Sequence, residues 1–172
     1  SAKYTIAEKQ IAEQRGLDPS KCIEEHDNKN DAVGVYVNDN VPPIGFTYDK
    51  YVSNYEFLIS VPEDMRSVAM LNYLIVPDTE TWKVDGILEH VDNESLELDE
   101  SMVESACLEH LSEYSESFEV RRTGFTSVIN SSADKYAFYS VPYSKRWSAY
   151  VNGNKVEIMN INGLMAVPVS AG

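Results

Sequence analysis

The sequence predicts an α+β protein whose C-terminal part is an antiparallel β-meander in a sandwich or jelly-roll-like packing, with two to three flanking helices. From Phe118 onward the apolar residues recur with a period of two, whereas several earlier segments show helical spacing. Asn152-Gly153 and Asn162-Gly163 separate the last three apolar runs, and Asn-Gly is a strong hairpin signal. Six strands with one apolar face need a second layer to cover them.

The N-terminal segment predicts a short helix followed by a loop and a strand. Thr5-x-x-Glu8 has the pattern of a capping box, and Gly16 is placed to end the helix. The charged residues 20–30 predict a loop. Ala32–Val37 then alternates like a strand and runs into an Asn-Asp-Asn turn at 38–40.

The middle of the chain predicts extended segments and two helices. Residues 45–52 read as extended chain with aromatic packing, and Pro62 suits the first turn of a helix that runs to Leu71. A short buried strand, Tyr73–Val76, follows. Ser101-x-x-Glu104 predicts a capping box for a second helix, whose apolar residues at helical spacing are Val103, Cys107, Leu111 and Tyr114.

Six short runs with strand periodicity follow that helix. They are Phe118–Arg122, Phe125–Ile129, Tyr136–Val141, Trp147–Val151, Val156–Met159 and Leu164–Val169. We expect an N-terminal α/β lobe over residues 3–93 and a helix-plus-sandwich lobe over 94–172, or one continuous domain.

The charge of the chain is negative and unevenly distributed. The formal net charge is −14, and residues 85–119 contain twelve acidic residues without a Lys or Arg. This charge disfavours nucleic acid as a partner, because phosphate backbones are repelled. We expect the acidic run to be a solvated surface; calcium binding is the minor alternative, and no EF-hand loop pattern supports it.

The sequence contains no recognised pattern for catalysis, cofactor binding or metal binding. No nucleophile elbow, phosphate-binding glycine loop or CxxC pair occurs, and the three histidines share no ligand spacing. We therefore predict no catalytic residue, no cofactor and no metal. No run approaches the roughly 18 apolar residues of a membrane-spanning helix, so we expect this chain to be soluble, and we expect it to be a piece of a longer protein.

Aromatic and basic residues cluster in one part of the C-terminal region. Candidate carbohydrate contacts, with Lys145 and Arg146 beside them, are Tyr143, Trp147, Tyr150, Arg121 and Arg122. The alternative for Trp147 is a core aromatic with a polar edge.

Residues 138–156, Phe-Tyr-Ser-Val-Pro-Tyr-Ser-Lys-Arg-Trp-Ser-Ala-Tyr-Val-Asn-Gly-Asn-Lys-Val, resemble the S-x-P-Y-x-x-G-W-x-x-x-V-[DN]-G-x-x-V segment of the YfhO family. Residues 160–172 are similar to that family's next hairpin, and 45–51 with 62–71 to its extracytoplasmic stretch. Arg146 stands where the family commonly has Gly. The motif residues with an expected structural role are Pro142, Asn152, Gly153, Asn162 and Gly163.

The resemblance implies the extracytoplasmic part of a multi-spanning bacterial membrane protein with a glycosyltransferase-C-like body. Such proteins are implicated in transferring sugars from lipid-linked donors to teichoic-acid-type polymers. The partners implied are the transmembrane remainder of the same chain and cell-envelope glycan, and the location is the outer face of the cell membrane. A carbohydrate-binding or adhesion module and a secreted glycoside hydrolase are the alternatives.

Overall fold

The computed structural model describes residues 4–12, 17–28, 31–37, 41–99 and 101–172. The chain divides into two compact units, Ser1–Val41 and Pro42–Gly172. The boundary predicted between residues 93 and 94 lies inside the second unit. In the described part of the chain, no helix combines the length and the apolar character that crossing a membrane requires.

The first unit is a three-stranded antiparallel sheet with strand order β1-β3-β2. Its elements are β1 (Tyr4–Glu8), helix α1 (Lys9–Ala12), a 3-10 turn (Pro19–Lys21), β2 (Cys22–Asn28) and β3 (Asp31–Val37). Ala7, Ala12 and Tyr36 form its small buried core. Gly34 allows close packing there, since a Cβ at this position would lie 2.9 Å from Cys22 Sγ and from the Tyr36 ring.

The predicted N-terminal helix is present only as the four residues of α1, Lys9–Ala12, and the predicted loop is wrong. Thr5 and Glu8 lie in β1, where Thr5 pairs with Tyr36 and Glu8 with Val33 of β3. The predicted loop 20–30 contains strand β2, whose charged residues suit an exposed sheet edge. Strand pairing with β3 overrides the weak helix signal of residues 5–8 and the turn-like composition of residues 22–28. Gly16 and the turn at 38–40 lie outside the described residues.

The second unit contains four helices and eleven strands among its described residues. Its helices are α2 (Asn54–Ser60), α3 (Arg66–Asn72), α4 (Thr81–Val84) and α5 (Met102–His110), with a 3-10 turn at Glu63–Met65. Its strands are β4 (Gly45–Tyr48), β5 (Lys50–Ser53), β6 (Leu74–Val76), β7 (Glu89–His90), β8 (Ser115–Arg121), β9 (Gly124–Ile129), β10 (Lys135–Pro142), β11 (Ala149–Val151), β12 (Asn154–Val156), β13 (Met159–Ile161) and β14 (Leu164–Val169).

A four-stranded antiparallel sheet, β13-β14-β10-β4, forms the middle layer of this unit, and we call it the central sheet. Residues on β10 alternate between its two faces: Tyr136 and Phe138 face one core, whereas Ala137 and Tyr139 face another. The parallel sheet β6-β5-β7 and its helices contribute Leu74 and other residues to the first core. Hairpins β8-β9 and β11-β12 contribute partly buried residues to the second core.

The α+β class and the antiparallel strands are confirmed. The C-terminal strands do not form one continuous meander, because β10 pairs with β14 and β4 rather than with its sequence neighbours β9 and β11. Local hairpins are therefore predictable from turn residues, whereas the pairing of β10 with β4 depends on contacts between residues about 90 positions apart. This pairing joins strands from both sides of the predicted lobe boundary.

Helix α5 is present where the sequence predicts it, with Ser101 at its N-cap, but its capping bonds and its buried face differ. Ser101 makes no side-chain capping bond. Instead, Asp99 Oδ1 accepts a 2.7 Å hydrogen bond from the Ser101 backbone N–H. The buried residues are Ala106, Cys107 and His110. His110 packs on Phe46 with ring centroids 3.9 Å apart, so the helix places a histidine against the central sheet.

A network around Glu113 connects the end of α5 to the central sheet. Glu113 accepts hydrogen bonds from Thr47 Oγ1 of β4 (3.0 Å), Ser131 Oγ (3.2 Å) and the Ser132 backbone (3.2 Å). Lys135 Nζ of β10 lies 3.0 Å from Glu113 Oε1 and 2.6 Å from Asp49 Oδ1. Burial alone would raise the pKa of Glu113, but hydrogen bonds from Ser132, Lys135 and Thr47 lower it to about 2.

Gly153→Val should destabilise the second unit. Asn152 (φ 50°) and Gly153 (φ 81°) form the two-residue turn between β11 and β12, and valine strongly disfavours positive φ. We expect a loss of about 1–2 kcal/mol, measured as a lower Tm by circular dichroism. Lys155→Val, in the same hairpin but with strand geometry, is the control. An equal Tm for Gly153→Val and wild type would contradict the turn assignment.

Glu113→Gln should lower the free energy of unfolding by about 1–3 kcal/mol near neutral pH, because Lys135 and the surrounding donors lose a charged acceptor. The pKa of folded Glu113 lies below its ordinary value of 4.5, so its stabilisation is complete above about pH 4.5 and is lost as the pH falls towards 2.

The measurement is urea unfolding of both proteins across this pH range. The difference between them should shrink below pH 4.5. Exposed Glu104→Gln on α5 is the control, and a difference that stays constant down to pH 2 would exclude ionised Glu113 as the cause.

Candidate functional site

A cleft of about 710 Å³ opens beside the central sheet, between hairpins β8-β9 and β11-β12. Met165, Val167 and Val169 of β14 contribute to its lining, together with Tyr139 of β10. Residues 123–129 and 146–152 line it as two uninterrupted runs. The hairpins therefore cover this face of the central sheet incompletely.

Three of the five predicted carbohydrate contacts line this cleft: Arg121, Trp147 and Tyr150. Arg122 is exposed in the connection between β8 and β9, and Tyr143 is half-buried; neither lines the cleft. The structure thus brings Arg121 to Trp147 and Tyr150 across a separation of more than twenty residues in sequence. Whether these side chains contact a carbohydrate stays a prediction.

Trp147 packs against the cleft wall and is only partly available to a ligand. Its ring meets Phe125 edge to face at a centroid distance of 5.9 Å, and a Cβ on Gly124 would lie 3.4 Å from it. The ring centroids of Phe125 and Tyr139 lie 5.1 Å apart. Tyr150 is 65% exposed. Trp147 therefore contributes to packing, while Tyr150 presents its ring to solvent.

The cleft differs in charge from the rest of the chain. Arg121 and Arg146 line it, whereas none of the described residues lining it is Asp or Glu. Arg121 pairs with Glu119 at 3.6 Å, an exposed contact that contributes little stability. In a chain of net charge −14, this surface suits neutral or anionic groups.

The predicted structural motif residues lie at turns and at the end of β10. Asn162 (φ 49°) and Gly163 (φ 89°) connect β13 to β14, and Asn160 Oδ1 accepts a 2.9 Å hydrogen bond from the Gly163 N–H. Pro142 ends β10 opposite Leu164, after a register shift. The Tyr143 N–H donates to Gly163 O at 2.7 Å, which joins the Pro-Tyr segment to this turn.

A second pocket, of about 460 Å³, lies at the carboxyl ends of the parallel strands. His90 Nε2 lies 2.9 Å from Glu56 Oε2, and the His90 ring stacks on Tyr51 at 4.9 Å. The Tyr51 hydroxyl donates to Asp85; burial and this bond raise the pKa of Tyr51 to about 12.

None of the residues that line this second pocket was predicted from the sequence as a site residue. The sequence pattern that could have indicated this pocket is Ser53-x-x-Glu56, which forms a complete capping box at the start of α2.

The acidic run of residues 85–119, which was expected to be a solvated surface, is not uniformly exposed, because Glu113 is largely buried in its hydrogen-bond network. Among the described residues, no group of three or more His, Cys, Asp or Glu side chains is arranged to hold a metal ion.

Residues 98–172 match the family model described as bacterial membrane protein YfhO. The resemblance to this family is thereby confirmed for the part of the chain that contains α5, both hairpins beside the cleft and the cleft itself. The similarity over residues 45–51 and 62–71 lies outside the matched stretch and stays a prediction. No curated protein and no solved structure matches the chain.

Trp147→Ala and Tyr150→Ala should show which of the two aromatic side chains contributes to packing and which is available to contact a ligand. Loss of the Trp147 contacts with Phe125 should lower the free energy of unfolding by about 1–3 kcal/mol, less than for a fully buried tryptophan. Tyr150→Ala should leave it within about 0.5 kcal/mol of wild type. Chemical denaturation of each purified variant provides the values. Equal losses would show that the two aromatics are packed alike.

Proposed function

We propose that this chain, whose residues 98–172 match the YfhO family of bacterial membrane proteins, is a non-catalytic extracytoplasmic part of a multi-spanning protein. In this proposal the membrane-spanning remainder of the same protein transfers a sugar from a lipid-linked donor to a cell-envelope polymer. The present chain covers or shapes the acceptor side. The family match is the observation that carries the proposal.

The cleft supports a role near the acceptor. It lies within the matched stretch and combines an exposed tyrosine, Tyr150, with two arginines and polar side chains. Aromatic faces, hydroxyl groups and cations are suited to polymers that carry sugar rings and anionic groups. We assign no catalytic residue to this chain, since the resemblance implies that the catalytic acid of such proteins belongs to a loop near their first membrane helices.

A carbohydrate-binding module is the second candidate, and the grouping of Arg121, Trp147 and Tyr150 in one cleft favours it. The two candidates differ in what the chain does alone. An accessory part acts only with its membrane body, whereas a binding module holds glycan when isolated. Isothermal calorimetry with purified cell-envelope glycan distinguishes them, and turnover of a glycoside by the isolated chain would point instead to a hydrolase.

The test in cells compares the bacterium with and without the gene for the full-length protein. We expect deletion to remove one sugar substituent from an envelope polymer, measured by composition analysis of purified wall and lipid-linked polymers. A strain with unchanged sugar content in every polymer would contradict the proposal.

Variants of the full-length protein then test the cleft. Arg121→Ala with Tyr150→Ala should reduce the incorporated sugar several-fold, at equal protein abundance on immunoblots. Arg122→Ala is the matched control, because it removes an adjacent exposed arginine that does not line the cleft. Equal incorporation by the double variant and the control would remove the cleft from the proposed function.

A further inference from the structure

The two side walls of the cleft contain two complete strands, β9 and β11, with neighbouring turn and loop residues. Residues 123–129 and 146–152 line it without a gap. Successive side chains of a strand point to opposite faces, so a wall built from one face would show only alternate residues. Strand β14 shows that pattern with Met165, Val167 and Val169. The cleft therefore has a floor of β14 side chains, whereas residues from both faces of β9 and β11 border it.

Each wall strand has a backbone partner on one side only. In the described part of the chain, β9 pairs with β8 and β11 pairs with β12. No backbone hydrogen bond from another element reaches either β9 or β11 in these described residues. An open edge carries a row of N–H and C=O groups that pair readily with an added strand. Two such edges border the same cleft.

Apolar side chains around the cleft are only partly covered. Ala137, Tyr139 and Val167 are buried, but their neighbours Phe125, Ile129, Val151 and Val169 are partly buried. Covering these side chains with apolar groups is favourable, because it removes their remaining apolar surface from water. Apolar side chains of a bound segment can therefore pack on the floor of the cleft. The open edges of β9 and β11 can form hydrogen bonds with the backbone of that segment.

We propose that the cleft receives an extended polypeptide segment from outside residues 1–172, which adds as a strand between β9 and β11. Its alternate side chains are apolar and face Tyr139, Val167 and Val169. The other positions are neutral or acidic, since Arg121 and Arg146 line the cleft and no described lining residue is Asp or Glu. Its length is about six residues, set by the six residues of β9.

A polypeptide, unlike a glycan, can pair with the open strand edges that border this cleft. Alternating N–H and C=O groups along an extended backbone match the spacing of a strand edge, and strand addition draws its affinity from those bonds. This inference does not depend on the proposed function: it would hold for an isolated module as well as for part of a membrane protein.

The test joins a six-residue segment of alternating threonine and valine to Gly172 through a flexible glycine-serine linker. Ser170 and Gly172 line the cleft, so the tethered segment has a high effective concentration there. The matched control replaces each threonine with proline, which keeps the valine side chains but removes every second backbone donor. Amide hydrogen exchange is measured over β9, β11 and, as an internal reference, β1.

We expect exchange over β9 and β11 to slow by about tenfold or more in the threonine-valine fusion, with β1 unchanged and the proline fusion like wild type. Unchanged exchange, or equal slowing in both fusions, would overturn the proposal. Slowing that requires high protein concentration would identify a second copy as the occupant. Slowing of the unfused protein by purified envelope glycan, without any effect of the fusion, would identify a carbohydrate site instead.

Discussion

Glu113 and Lys135 hold together parts of the second unit that are distant in sequence. Lys135 stands at the start of β10, Thr47 lies on β4, and Glu113 follows helix α5; the carboxylate contacts both other side chains. These contacts lie beside the pairing of β10 with β4, which places the central sheet between its two cores. The floor of the cleft belongs to this sheet. The geometry of the candidate site therefore depends on an ion pair outside it.

The sequence predicts local elements of this fold better than its long-range pairings. The Asn-Gly pairs adopt positive φ between short strands, because their turn geometry depends only on neighbouring residues. Helix α5 follows from its apolar spacing. Its orientation does not, since the small Ala106 and the polar His110 are buried while Leu111 is 41% exposed. The parallel pairing of β5 with β6 and β7 leaves no periodic signal, because these strands have only four, three and two residues.

Part of the candidate site was predictable for the same reason. Trp147 and Tyr150 are close in sequence, so it could be predicted that they lie near each other. Arg121 lines the same cleft only because hairpin β8-β9 folds over the central sheet. Strand periodicity points Arg121 and Arg122 to opposite faces, but it does not show that β8 ends at Arg121 and that Arg122 lies in the turn. The open edges of β9 and β11 were also inaccessible to sequence reasoning, since the number of partners of a strand is a property of the assembled sheet.

The central claim is that this chain lies on the outer side of a bacterial membrane as part of a larger protein, and its location is the most direct point to measure. Lys155 is exposed beside the Asn152-Gly153 turn, so a full-length protein with Cys22→Ser and Lys155→Cys presents a reactive thiol there. The measurement is labelling by a membrane-impermeant maleimide in intact cells and after permeabilisation. The account predicts equal labelling in both conditions. Labelling that occurs only after permeabilisation would place the chain in the cytoplasm and contradict it.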